Sequence, residues 1–247
     1  MNIFAIDIGN TSTTCGLFYN NKLLSRSIFK KNDSQSMLSY IIANDFGALV
    51  VISSVDPSQT EKLVKLLEKN NFKSKIISHK NCGLLMDVES TKEVGVDRIC
   101  NSYAAKELYK SPCLVIDFGT ATTYDVINKN KIFIGGAIAP GIEVSSENLI
   151  SKAALLNKVT YEIPKYAIGK NTLTNLQSGI VLGAIDSIHG MVKRIQKEII
   201  ENENLKIILT GGFSQIISPV IKFNHEVNLD LTLMGINLIY FNEIKTK

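Results

Sequence analysis

The feature that most constrains this chain is an internal repeat. Residues 3–18 (IFAIDIGNTSTTCGLF) and 113–128 (CLVIDFGTATTYDVIN) share one pattern: an apolar run ending in Asp-x-Gly, a hydroxyl-rich turn, then a second β-prone run. The two aspartates, Asp7 and Asp117, are separated by nearly half of the 247 residues. A duplicated strand, turn and strand at that separation predicts two related lobes.

Each lobe opens with three strands in hairpin succession, 3–8, 13–19 and 22–28 in the first and 113–118, 122–127 and 131–138 in the second. Asn20-Asn21 and the asparagines of 128–130 supply the tight turns between the later strands. The first lobe continues as a helix at 36–44, a strand at 48–53, a helix at 60–70 introduced by Asp56-Pro57-Ser58, and a strand at 75–78. The second continues as a helix after Pro140-Gly141, a long helix over 174–202, a strand at 206–210 and a final helix over 231–243. Leu63, Leu66 and Leu67 fall on one helical face at core spacing. Ile180, Ala184, Ile188 and Met191 form a similar stripe, which suits either a core or a subunit contact. Such alternation of elements predicts an α/β fold with partly parallel sheets.

Composition narrows the partners. Basic residues number 27 against 23 acidic, spread along the chain, which is no footprint for nucleic acid. The four cysteines show no Cys-x-x-Cys pair and read as buried, reduced thiols. The sequence shows no signal-peptide pattern and no apolar run approaching membrane-spanning length, so a soluble, cytoplasmic protein without a membrane partner is expected.

The repeated turn is suited to polyphosphate. Asp7 ends a buried strand, Gly9 lets backbone approach a ligand, and Asn10, Thr11, Ser12, Thr13 and Thr14 offer amides and hydroxyls to phosphate oxygens. A carboxylate there can hold hydrated Mg2+ against those oxygens. One such turn could equally be a hairpin whose Asp and Asn satisfy local amides. The second copy, Asp117-Phe118-Gly119-Thr120-Ala121, favours the ligand-binding reading. Thr210-Gly211-Gly212-Phe213-Ser214, between a strand and a helical pattern, suits the adenosine side of a nucleotide.

These turns and the glycine pair resemble the superfamily of acetate kinase, sugar kinases, Hsp70 and actin. That resemblance implies two related ribonuclease H-like lobes, 1–110 and 111–247, with mixed sheets flanked by helices and an ATP cleft between them. Further residues look like the type III pantothenate kinases. They are Gly95-Val96-Asp97-Arg98 before a helix, Asp117 to Thr123, Gly135-Gly136-Ala137-Ile138-Ala139-Pro140-Gly141, and Ile168-Gly169-Lys170-Asn171-Thr172 ahead of Gln177-Ser178-Gly179. The resemblance implies ATP-dependent phosphorylation of the primary hydroxyl of pantothenate to 4′-phosphopantothenate, the first step of coenzyme A biosynthesis.

Carried over position by position, Asp97 is the general base, and Gly95, Val96, Asp97 and Arg98 bind pantothenate. Thr172 contacts pantothenate from the neighbouring subunit of a homodimer. The segment Asp7, Ile8, Gly9, Asn10, Thr11, Ser12, Thr13, Thr14 and the residue Thr120 bind ATP. Asp7 serves Mg2+ through water, and Asp117 binds a monovalent cation, K+ or NH4+. Read locally, Asp97 is also a plain helix-start acid and Thr172 an N-cap. Val88 and Thr91 stand where family members often have tyrosine and proline, and Thr14 where a basic residue can occur, which implies a differently lined vitamin pocket. The alternatives are another kinase of the superfamily, lacking any reason for Gly-Val-Asp-Arg, or a catalytically silent nucleotide-binding regulator.

Overall fold

The computed structural model describes residues 2–45, 47–152, 160–199 and 204–245. They form two compact units, one of residues 1–110, 131–135 and 230–247, the other of residues 111–130 and 136–229.

In the first unit β1 (Asn2–Ile8), β2 (Ser12–Tyr19) and β3 (Lys22–Lys30) form an antiparallel meander. β4 (Leu49–Ser54) runs parallel to β1, and β5 (Ser74–Ile76) parallel to β4, giving the order β3-β2-β1-β4-β5. The turn at Asn20 and Asn21 has φ of 46° and 64°, the left-handed pair that a two-residue hairpin demands. Period-two alternation along β1 divides its side chains between two cores. Phe4, Ile6 and Ile8 pack with Met37, Leu38 and Ile41 of α1 (Ser34–Ala43) and with Leu63 and Leu67 of α2 (Pro57–Lys69). Ile3 and Ala5 pack with Ile99, Cys100 and Tyr103 of α3 (Val96–Leu108). Asp7 continues the second of these faces, so the sheet itself turns it toward α3.

Helix α2 begins at Pro57, ahead of the expected 60, because Asp56 accepts the Gln59 amide at 3.1 Å and proline suits the first helical position.

The second unit repeats the topology. β6 (Cys113–Phe118), β7 (Ala121–Ile127) and β8 (Phe133–Pro140, of which 133–135 fall in the first unit) are followed by β9 (Lys206–Thr210), parallel to β6, and β10 (Glu226–Val227), parallel to β9. The order β10-β9-β6-β7-β8 is that of the first sheet read from the opposite edge. Leu114, Ile116 and Phe118 meet Ile142 of α4 (Ile142–Lys152) and Ile185, Ile188, Val192 and Ile195 of α6 (Gly183–Glu198).

The expected continuous helix over 174–202 is interrupted. It starts as α5 (Thr172–Gln177), widens into a π-helical turn at Ser178–Leu182 containing Gly179, and resumes as α6. The wider turn rotates the apolar stripe: Ile185, Ile188, Val192 and Ile195 are buried, whereas Ile180, Ala184 and Met191 only border the same core. The expected end of this helix at 200–202 lies outside the described residues.

The C-terminal helix α8 (Leu231–Ile239), read from sequence with the second lobe, belongs to the first unit. Leu233, Ile236 and Ile239 complete the core built on Ile3, Phe18 and Tyr103. It reaches α3 through Gly235, where a Cβ would overlap the Cys100 carbonyl. Gly235→Ala is therefore expected to lower stability by about 1–3 kcal/mol or more through overpacking, read as a shift in urea midpoint.

Candidate active site

Although the two Asp-Gly turns align without a gap in sequence, they differ in length. In the first, Ile8 pairs with Thr13, leaving four residues between them; in the second, Phe118 pairs with Thr122, leaving three. Each closes through its glycine amide, Gly9 to the Ser12 carbonyl at 3.0 Å and Gly119 to the Ala121 carbonyl at 3.1 Å. Asn10 and Thr11 are exposed at the tip of the first turn, where amides can converge on an anion.

Around Asp7 the first unit assembles a compact acidic site. Asp7 sits opposite Ser53 in the parallel register of β1 and β4, and the buried Ser53 hydroxyl donates to Asp7 Oδ1 at 3.0 Å. Helix α3 packs against the same face of the sheet. Its N-cap is Gly95, against which the Asp97 carboxylate lies close enough that a Cβ would meet Oδ1 at 2.5 Å. Asp97 Oδ1 accepts the Arg98 amide at 2.8 Å. Burial holds the Asp97 carboxyl above the ordinary carboxylate range, with the Arg98 amide and charge pulling the other way. One turn further along, Cys100 is fully buried; burial pushes its thiol well up, the charges of Asp7 and Asp97 add to this, and a hydrogen bond with Ser53 opposes it. Cys100 thus stands within electrostatic reach of Asp7, Ser53 and Asp97.

Arg98 is held by packing as well as charge, its guanidinium 5.7 Å from the centre of the Phe133 ring. Phe133 is fixed by backbone bonds, its amide to the Leu85 carbonyl at 2.9 Å and its carbonyl from the Asp87 amide at 2.8 Å. Val88 joins this core and approaches Gly135, so the position that departs from the family pattern packs beside the Arg98 platform.

In the second unit Asp117 pairs in register with the buried Thr210. Gly211 follows at φ +84°, packed so tightly that a Cβ would strike Asp117 Oδ1 and come within 2.6 Å of the Phe118 backbone. The Thr-Gly-Gly segment thus buttresses the aspartate turn, and the helix after it, α7 (Ser214–Ile217), is a single turn. Thr120 is exposed, and its carbonyl accepts the Gly141 amide at 3.0 Å, tying the turn to the start of α4.

Thr172 occupies the exposed first turn of α5. It is not the N-cap: Asn171 takes that place, accepting the Thr174 amide at 2.9 Å in a reciprocal capping box.

Among the described residues no three of His, Cys, Asp or Glu converge as a metal cage. Single carboxylates flanked by hydroxyls fit hard cations that draw their other ligands from phosphate and water. Asp7 beside Ser53, and Asp117 paired in register with Thr210, are donor sets of that kind. No described helix is long and apolar enough to cross a membrane.

The type III pantothenate kinase family matches residues 3–194. A type III pantothenate kinase from Thermomicrobium roseum is 39% identical over 251 residues, covering 96% of both chains. The chain belongs to the type III pantothenate kinase family. Among solved structures, a protein described as a Baf family transcriptional activator from Campylobacter jejuni superposes at TM-score 0.60 with 20% identity, over 96% of this chain and 97% of its own. The activator of 2-hydroxyisocaproyl-CoA dehydratase from Clostridium difficile, with bound ADPNP, gives 0.56 with 13% identity over 100% and 96%. At these identities the likeness concerns the fold, which is that of the actin, sugar kinase and Hsp70 ATPases. The sequence pattern marks Asp7, Asp97 and Asp117 as candidates but gives no sign of Ser53, which hydrogen-bonds to Asp7. A hydroxyl at a strand end carries no signal until the strand order is known; the parallel pairing of β1 with β4 supplies it.

Proposed function

We propose that the chain transfers the γ-phosphoryl group of ATP to the primary hydroxyl of pantothenate, in the cytoplasm, forming 4′-phosphopantothenate. The observation that carries this reading is Asp97, raised in pKa by burial, at the head of α3, the helix whose Cys100 thiol senses the charges of both Asp97 and Asp7. Phosphoryl transfer through a loose transition state asks the protein mainly for positioning and charge stabilisation. The longer turn, from Asp7 and Ile8 through Gly9, Asn10, Thr11, Ser12, Thr13 and Thr14, receives the phosphates. Asp7 would hold Mg2+ through water, an ion that would supply positive charge against the phosphate oxygens.

Gly95, Val96 and Arg98 seat pantothenate, with the guanidinium directed to its carboxylate in a charge-assisted pair. Asp97 orients the attacking hydroxyl and accepts its proton; a raised pKa makes it the better base for that task. Asp117 would hold a monovalent cation, K+ or NH4+, and Thr120 would contact ATP. Thr172 reaches the pantothenate of the other subunit in a homodimer, consistent with its exposure. The test is incubation with MgATP and pantothenate in K+ buffer with the product identified by mass. Formation of 4′-phosphopantothenate is expected; ADP without a phosphorylated vitamin would contradict the reading.

A further inference from the structure

We propose that Ser53 is a positioning residue for Asp7, fixing its carboxylate in one orientation toward the phosphate-binding turn. The inference rests on the nucleotide role of that turn proposed above. Ser53 is fully buried on the face it shares with the apolar Ile3, Ala5 and Val51. A hydroxyl in such a place needs a partner, and it has one, donating to Asp7 Oδ1 at 3.0 Å. On its other side lies the Cys100 thiol of α3. The order Cys100, Ser53, Asp7 is a short polar chain running from the helix to the strand end.

The second sheet supports the same inference independently. Its central strands pair Asp117 with Thr210, again a buried hydroxyl directly beside the aspartate. The preceding residues are apolar in both cases, Val50, Val51 and Ile52 in β4 and Ile207, Ile208 and Leu209 in β9. In both sheets the apolar run thus gives way to a hydroxyl at the register position opposite the aspartate.

Ser53→Ala removes the donor without adding volume. With MgATP in titration calorimetry, the variant is expected to bind about tenfold more weakly, the worth of a hydrogen bond to a charged group. ATP in EDTA should bind it as it binds the wild type, because the defect lies in the carboxylate that serves the cation. In steady state the KM for MgATP should rise while that for pantothenate stays within about twofold, and in Asp7→Asn the same substitution should add nothing further. Equal weakening with and without Mg2+, a joint rise of both KM values, or additivity with Asp7→Asn would overturn the proposal. Should the wild type phosphorylate no pantothenate, the substrate assignment fails, while the nucleotide calorimetry still decides the role of Ser53.

Discussion

Asp97→Asn is expected to lower kcat by about 10²–10⁴-fold, the usual worth of a positioned general base, and at the same time to stabilise the fold at neutral pH. The two effects share one cause. Burial raises the folded-state pKa of Asp97, so ionising it costs more in the native chain than in the unfolded one. At pH below the ordinary carboxylate pKa, about 4, both states are protonated and Asp97 makes no difference. As pH rises past that value and through the raised folded pKa, the unfolded state ionises first and Asp97 comes to destabilise the native state. The stability gained by Asp97→Asn should therefore be full near pH 7 and vanish as pH falls through the unfolded pKa. Thermal melts from acid to neutral pH, alongside initial rates, check both halves. The acid limb of the wild-type kcat/KM profile should lie above the ordinary carboxylate range. A stability gain equal at all pH values would mean that Asp97 is not a buried carboxylate base.

Gly211→Ala is expected to disable the second turn. At φ +84° any side chain is strained, and this one would collide with the Asp117 carboxylate and the Phe118 backbone. A loss of about 1–3 kcal/mol or more follows, with loss of stimulation by K+ as Asp117 is displaced. The adjacent glycine is the control: nothing lies within 4 Å of a Cβ on Gly212, so Gly212→Ala should melt and respond to K+ as the wild type does. Equal responses of the two variants would refute the buttressing role of Gly211.

What the sequence made legible was what local pattern determines. The apolar runs before Asp7 and Asp117 gave both central strands, and Asn20-Asn21 gave the turn that φ values of 46° and 64° bear out. Gly95-Val96-Asp97-Arg98 was read at the head of a helix and stands there. Long-range choices were hidden. Leu233 and Ile236 would suit either core, and only Gly235, whose missing side chain admits the Cys100 carbonyl, matches α8 to α3 in the first unit. The unequal turns leave no mark in the sequence because an ungapped alignment keeps Asp-x-Gly in step and pushes the extra residue into the following strand. The π-helical turn at Ser178–Leu182 left no periodic signal, since one added residue changes the phase of a stripe without breaking its composition.

The central claim is tested most directly by initial rates of ATP turnover on a panel of acceptors, pantothenate against acetate, glycerol and hexoses, in Mg2+ buffer with either K+ or Na+. Turnover should require pantothenate, yield 4′-phosphopantothenate and be faster in K+. Turnover on a sugar with none on pantothenate would contradict the account.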